Sequence, residues 1–172
     1  MNTRLSILAL IEILSGLSIG VVILVITYQA LKYIGLKRYN IHHNNLAYGI
    51  FMASILFSIG YMVSCVIEPL LSLFRLMSAA EDQGIFSLIL SFLGYGAIYI
   101  AGAYASGVVV CWLGVVIYTH LTPIDEFAEL KNNNVGVALV VGTIIIVLTL
   151  MTRDGVSLLI ESQIPYPAHF TQ

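Results

Sequence analysis

Glu12, Glu68, Arg153 and Asp154 are charged residues that lie within long apolar segments of this sequence, away from the predicted linkers. Such side chains are rare inside membrane helices, and they mark ion pathways, proton relays or interhelical pairs. Pro69 follows Glu68 and has no backbone N–H, so a carbonyl of the preceding turn is left free to coordinate an ion. These four residues are therefore the candidate proton- or cation-binding site.

Three roles are open for these charges. Glu12 or Glu68 could pair with Arg153 as an interhelical clamp. Alternatively, the two carboxylates could bind a proton or a small cation while Arg153 and Asp154 tune them. The third role is contact with lipid headgroups, because Glu68 and Arg153 are expected about 35 and 29 Å along their helices, close to a membrane interface.

Small polar side chains form a stripe that leads towards Glu68. Between Ser54 and Glu68 they recur every three or four positions, which places them on one helical face. A polar face on a membrane helix normally turns inward, where it could line a hydrated cleft. A second segment, from Ser91 to Tyr99, offers a comparable face. The candidate pathway residues are Ser54, Ser58, Tyr61, Ser91, Tyr95 and Tyr99.

The segments that carry these residues are long enough to cross a membrane. Of the 172 residues, 59% are hydrophobic and 9% are charged, and the mean hydropathy is +0.98. Apolar stretches cover roughly 5 to 36, 45 to 74, 84 to 119 and 134 to 160, each longer than the ~20 residues that a span requires. The sequence has no ten-residue segments in which polar and apolar residues alternate, so it does not indicate a β-barrel. We predict an all-α polytopic membrane protein with four transmembrane helices.

Two stretches of the sequence, 45–54 and 134–143, resemble each other. Each opens with an asparagine, and small residues then recur in matching order. Asparagine is a favoured N-cap, so Asn45 and Asn134 are predicted to cap the second and fourth spans. The small residues predict a face where another helix packs closely.

The repeat predicts that the chain consists of two helical hairpins. The first hairpin covers residues 1–80, and the second covers 81–172 with a short C-terminal tail, within one integral membrane domain. Because each unit has an even number of spans, the two copies share one orientation and form a parallel repeat.

The same stretches carry a family resemblance. TPIDEFAELKNNNVGVALVVGT at 122–143, with HHNNLAYGIFMAS at 42–54, resembles the YjfL-type family of small inner-membrane proteins, also called domain of unknown function 350. The resemblance implies a four-helix bacterial inner-membrane protein built from a duplicated hairpin, and it implies no established activity. The first linker, LKRYNIHHNN, departs from the second because it lacks the Thr-Pro pair and the acidic residues.

Both predicted linkers, 37–44 and 121–133, lie on one side of the membrane. Basic residues favour the cytoplasmic side of a membrane protein. The linker side holds four of them and the opposite side three, so the linkers are predicted to be cytoplasmic: Lys32, Lys37, Arg38 and Lys131 against Arg4, Arg75 and Arg153.

Several function classes find no support in the sequence. The net charge is -2 and the longest basic run is Lys37-Arg38, so no nucleic-acid partner is expected. No nucleophile elbow, zinc-protease motif or phosphate loop is present, so we predict neither an enzyme nor a cofactor. The histidines lack ligand spacing, and Cys65 and Cys111 lie inside apolar spans, so no metal site is expected.

The leading hypothesis is a transporter or channel for protons or a small cation. A four-helix bundle can hardly enclose a wide path alone, so we expect membrane lipid around a homodimer or higher homo-oligomer. The alternative is a non-transporting scaffold that binds a partner through the acidic linker residues Asp125, Glu126 and Glu129.

Overall fold

The computed structural model describes residues 3–41, 44–79, 85–122 and 125–163, with side chains described for these except 3–15, 74–79, 85–89 and 92. They form six α-helices: α1 Thr3–Lys37, α2 Leu46–Ser64, α3 Ile67–Ala79, α4 Ile85–Leu121, α5 Glu126–Lys131 and α6 Val135–Glu161.

Four helical segments are long and apolar enough to cross a membrane. They are Gly16–Lys37, Leu46–Leu73, Leu93–Leu121 and Val135–Glu161. Within the described ranges every regular element is a helix, since a bilayer requires each segment to satisfy its own backbone polar groups. The predicted all-α fold with four membrane-spanning helices is confirmed.

The second span is broken into two helices. α2 ends at Ser64, and Cys65 and Val66 donate to the carbonyls three residues earlier, at 3.3 and 3.0 Å, so the α-helical pattern stops there. Pro69 lies in the first turn of α3, where its missing N–H would have no partner in any case. The proline therefore lies at the start of a new helix, and the break falls at the end of the span opposite the linkers.

Helices α2 and α6 form the central pair of the bundle, and they run parallel. Contacts follow the same order along both helices: Ala47 meets Asn133, Ser54 meets Gly142, and Tyr61 meets Arg153. A Cβ on Gly142 would overlap the Ser54 hydroxyl oxygen, so only glycine permits this approach.

The other two spans flank this pair. The inner face of α4 is lined by small residues, and a Cβ on Gly114 would lie 3.2 Å from the Cα of Ile145 in α6. Helix α1 packs against α2, where the Tyr48 hydroxyl donates to the carbonyl of Leu31 at 2.7 Å and the Tyr48 ring covers Gly35. A groove separates α1 from α4 over α2.

Candidate functional site

The two linkers lie together at one end of the bundle. Tyr39 in the first linker stacks on Phe127 of α5, with ring centroids 3.9 Å apart and planes 6° apart. Phe127 also meets Phe51 of α2 edge-on, with centroids 6.1 Å apart. We call this assembly of residues 38–41, 44–45 and 125–134 the linker platform.

The three consecutive asparagines of the platform have three different roles. Asn132 is the C-cap of α5, and its N–H donates to the carbonyl of Ala128 at 3.0 Å. Asn133 has a φ of 61°, in the left-handed region that asparagine tolerates better than most residues. Asn134 is the N-cap of α6, and its side chain accepts from the N–H of Val137 at 3.3 Å.

Two asparagines connect the linkers to each other. The side-chain oxygen of Asn133 accepts from the N–H of Ala47 at 3.0 Å, although Asn133 belongs to the other linker. Asn45 caps α2 by accepting from Tyr48 at 2.7 Å, and its Nδ2 donates to the carbonyl of Leu130 at 2.6 Å. The start of α2 is therefore completed by residues of both halves of the chain. The sequence shows Asn133 only as part of a run, and nothing local indicates its contact with Ala47.

The acidic residues of the second linker are used within the platform. Asp125 is the N-cap of α5 and accepts from two backbone N–H groups, at 3.1 and 3.2 Å. Glu129 accepts from Nδ2 of Asn134 at 2.7 Å. Glu126 is 5% exposed, and its Oε1 is buried with no hydrogen-bond partner among the described residues.

A polar cleft opens at the end of the bundle opposite the platform, beside the break between α2 and α3. Its volume is about 530 Å³. Glu68 and Arg153, two of the four candidate residues, both line it. The full lining consists of Ser64, Cys65, Ile67, Glu68, Leu71, Ser72, Arg153 and Ser157. Ser64 and Ser72 lie four residues before and after Glu68; this helical spacing could have identified them in the sequence.

Arg153 is held at the edge of the cleft by an aromatic ring. Its guanidinium carbon lies 4.8 Å from the centroid of Tyr61, within the range of a cation–π contact. It also lies 3.4 Å from Asp154, whose side chain is 87% exposed, so solvent weakens that pair. The Nε of Arg153 is buried without a partner among the described residues.

Glu68 and Arg153 share the cleft without forming an ion pair. Across the described ranges, the Arg153–Asp154 contact is the one ion pair within 4.0 Å. Glu68 is exposed and Arg153 is partly exposed in the chain as it stands. The direct clamp between Glu68 and Arg153 is therefore not formed in this structure, although both residues line the same cleft.

The other candidate residues are distributed over the bundle. Ser54 and Ser58 are 8% and 0% exposed between the packed helices, and Ser58 Oγ has no partner among the described residues. Tyr95 is exposed, whereas Tyr99 is buried and its hydroxyl donates to the carbonyl of Gln163 at 3.2 Å. Ser91 is half-buried. Glu12 belongs to α1, and its side chain lies outside those described.

Metal-ligating residues are scattered through the part of the chain that the structure describes. In that part, no group of three histidine, cysteine, aspartate or glutamate side chains could hold a metal ion. Cys65 and Cys111 are both buried free thiols. The polar chemistry of the cleft therefore comes from its carboxylate, guanidinium and hydroxyl groups.

Comparison with known proteins identifies a family for the second half of the chain. No curated protein and no solved structure matches the sequence. The matching family model covers most of α4, the second linker and α6, and so includes Arg153 and Asn134 but not Glu68. Residues 92–162 match the Domain of Unknown Function (DUF350) family, which confirms over this stretch the family predicted from the sequence.

Proposed function

We propose that this chain is a bacterial inner-membrane protein that carries protons or a small cation, with Glu68 as the binding carboxylate. The observation that carries the proposal is the cleft itself, in which Glu68 lies among hydroxyl groups near Arg153 without pairing to it. An intramembrane carboxylate that forms no ion pair among the described residues is proposed to be available to a proton or a cation. The proposed activity involves no enzymatic step.

Arg153 has a supporting role in this proposal. Its positive charge, held over the Tyr61 ring, is proposed to tune the binding of a guest by Glu68. Asp154 lies on the outer side of the guanidinium and moderates that charge. Glu12 is proposed as a second carboxylate on α1.

Transport also requires a path between the cleft and the platform. The region between them is closed by the contact of Ser54 with Gly142 and by the buried Ser58. We propose that this part of the α2–α6 interface separates during transport and that the Ser58 hydroxyl, which has no partner among the described residues, then becomes hydrated.

Flux into liposomes tests the proposal. Purified protein is reconstituted, and proton and cation flux are measured for wild type, Glu68→Gln, Glu12→Gln and Asp125→Asn. Glu68→Gln should lose most of the flux, whereas Asp125→Asn is a matched carboxylate-to-amide change outside the cleft that keeps an acceptor for its cap, and it should retain most of the flux. Unchanged flux in both Glu68→Gln and Glu12→Gln would exclude transport through these carboxylates.

We further propose a homodimer formed through α4. Part of the small-residue face at the start of α2 and of α6 is used inside the bundle, since Ala47 and Ala138 are fully buried, whereas Gly49 and Gly136 are exposed. Helix α4, in contrast, exposes a second set of small residues at spacings of three and four, a common interface between membrane helices. This set consists of Gly94, Ala97, Ala101 and Ala105.

The hairpin duplication and the orientation belong to the same proposal. The parallel course of α2 and α6, each begun by a capping asparagine, supports a parallel repeat.

Cytoplasmic linkers are tested with Lys131→Cys and Ser162→Cys, two exposed sites at opposite ends of α6 and its linker. A membrane-impermeant maleimide should label Lys131→Cys only in inverted vesicles and Ser162→Cys only in right-side-out vesicles. The reverse pattern would place the linkers outside.

The scaffold alternative has less support. It requires Asp125, Glu126 and Glu129 to be available to a partner, and two of these carboxylates accept hydrogen bonds within the platform while the third is buried. Neutral replacements at these three positions should lower the stability of the protein. If a variant is still folded but no longer pulls down a partner, that result would favour the scaffold instead.

A further inference from the structure

The groove between α1 and α4 is a second site in the molecule, lined by different residues from the cleft that holds Glu68. Its volume is about 510 Å³, and its floor is formed by α2 residues such as Phe51 and Ile55. Thr27 and Ile34 line the α1 side, and Trp112 lines the α4 side. The groove begins at the linker platform, where Arg38 and Phe127 form its mouth.

The floor of this groove is apolar in practice, even where its residues carry hydroxyl groups. Thr27 donates its hydroxyl to the carbonyl of Ile23 at 2.8 Å. Tyr48 donates to the carbonyl of Leu31 at 2.7 Å. Two of the four hydroxyl groups in the lining are thus satisfied by helix backbone, and most of the other lining side chains are aliphatic or aromatic, so the groove favours a hydrocarbon occupant.

The mouth of the groove has the opposite character. The Arg38 side chain is exposed, and within the described ranges no carboxylate lies within 4.0 Å of its guanidinium. Its nearest aromatic neighbour is Tyr39, with the guanidinium carbon 5.9 Å from the ring centroid. A guanidinium without a counter-charge, at the end of a membrane span, is complementary to a phosphate group.

We propose that this groove binds one acyl chain of an anionic phospholipid and that Arg38 binds the phosphate of the same lipid. The dimensions fit this occupant. From Phe51 to Ile59 the floor runs about 12 Å, at the helical rise of about 1.5 Å per residue. One leaflet of a bilayer has a hydrocarbon depth of about 15 Å, half of the total core. The groove thus holds most of one chain, with the headgroup at the platform.

The single tryptophan of the chain reports directly on this groove, because Trp112 lines it. The protein is reconstituted in phosphatidylcholine vesicles that contain an equal mole fraction of either brominated phosphatidylglycerol or brominated phosphatidylcholine. Bromine on an acyl chain quenches tryptophan fluorescence at short range. We expect the anionic lipid to be preferred about fivefold at Trp112, the preference that one basic residue near a membrane surface supplies.

Two variants separate a specific site from general membrane contact. Arg38→Gln should abolish the preference for the anionic lipid. Lys37→Gln removes the same charge one residue away, from a side chain that lies over the Tyr33 ring and outside the groove, and should retain the preference. A third variant, Ala30→Leu, fills the groove from the α1 side and should also lower selective quenching while Arg38 is kept.

Other results would overturn the proposal. Equal quenching of wild type by the two brominated lipids would exclude a selective site, and so would an unchanged preference in Arg38→Gln. A third result is that neither brominated lipid quenches Trp112 until the protein is diluted into excess lipid. That result would show that a second copy of the chain covers the groove instead.

Discussion

Asn133 accepts a hydrogen bond from the backbone N–H of Ala47 at 3.0 Å, although 86 positions separate the two residues in the chain. The N–H of Ala47 is one of the first groups of α2, which have no partner within their own helix. A residue of the second linker therefore completes the first turn of a helix in the first half.

Replacing Asn133 separates its two contributions. Asn133→Gly should retain the left-handed backbone and lose only the hydrogen bond to Ala47, at a cost of about 1 kcal/mol. Asn133→Ala should lose the hydrogen bond and also put at a φ of 61° a residue that tolerates it less well than asparagine, at an added cost of roughly 1–2 kcal/mol relative to the glycine variant. Thermal denaturation in detergent should rank the proteins as wild type, glycine variant and alanine variant. Equal melting of the two variants would mean that the backbone conformation contributes nothing.

Asn45 should not tolerate aspartate, although aspartate is normally as good an N-cap. The oxygen of Asn45 caps α2, whereas its Nδ2 donates to the carbonyls of Leu130 and Lys131. Asn45→Asp would place a carboxylate oxygen against these carbonyls, so we expect a loss of about 1–3 kcal/mol in the free energy of unfolding. Asp125→Asn is the matched control, because Asp125 acts only as an acceptor for its cap. A stable Asn45→Asp variant would contradict the proposed donor role.

Gly142 should be sensitive to the smallest substitution. Its position against Ser54 leaves no space for a Cβ, so Gly142→Ala is expected to cost roughly 1–3 kcal/mol through overpacking. Gly155→Ala on the same helix is the control: a Cβ there has no neighbour within 4 Å, and the change should be neutral or slightly stabilising. Adding Ser54→Gly to Gly142→Ala should recover part of the loss. Reversible chemical denaturation measures all four proteins, and no recovery in the double variant would show that Ser54 is not the obstacle.

The exposed small-residue face of α4 should control oligomeric state. Ala101→Leu places a bulky side chain at its centre and should shift a homodimer towards monomer, as measured by sedimentation in density-matched detergent. Val147→Leu enlarges an exposed side chain on α6 and should leave the distribution unchanged. A dimer that survives Ala101→Leu but separates with Val147→Leu would move the interface to α6.

Local sequence patterns predict the spans and the ends of the helices well. The apolar runs are long and nearly continuous, and the second and fourth spans begin beside Asn45 and Asn134, which act as N-caps in the structure. The predicted second span is one segment, but the structure divides it at Cys65 and Val66. Pro69 is visible in the sequence, yet hydropathy does not change across it, so composition alone does not reveal a new helix start.

The site is only partly predictable because its contacts are non-local. Glu68 and Arg153 can be identified in the sequence because charged side chains are rare inside apolar spans. In the structure both residues line one cleft. The placement of Arg153 over Tyr61 depends on the parallel register of α2 and α6, which no single segment specifies. The sequence predicts only a linker where the structure has the short helix α5, because six residues are too few to give a periodic signal.

The hydrogen bonds that join the second linker to the start of α2 have a consequence for biosynthesis. When the ribosome has delivered the first hairpin to the membrane, the N–H of Ala47 still lacks its acceptor, since Asn133 is translated 86 residues later. Until the second linker has been made, the first turn of α2 lacks this hydrogen bond from the rest of the chain. The linker platform therefore reaches its final packing only when both halves of the chain are present.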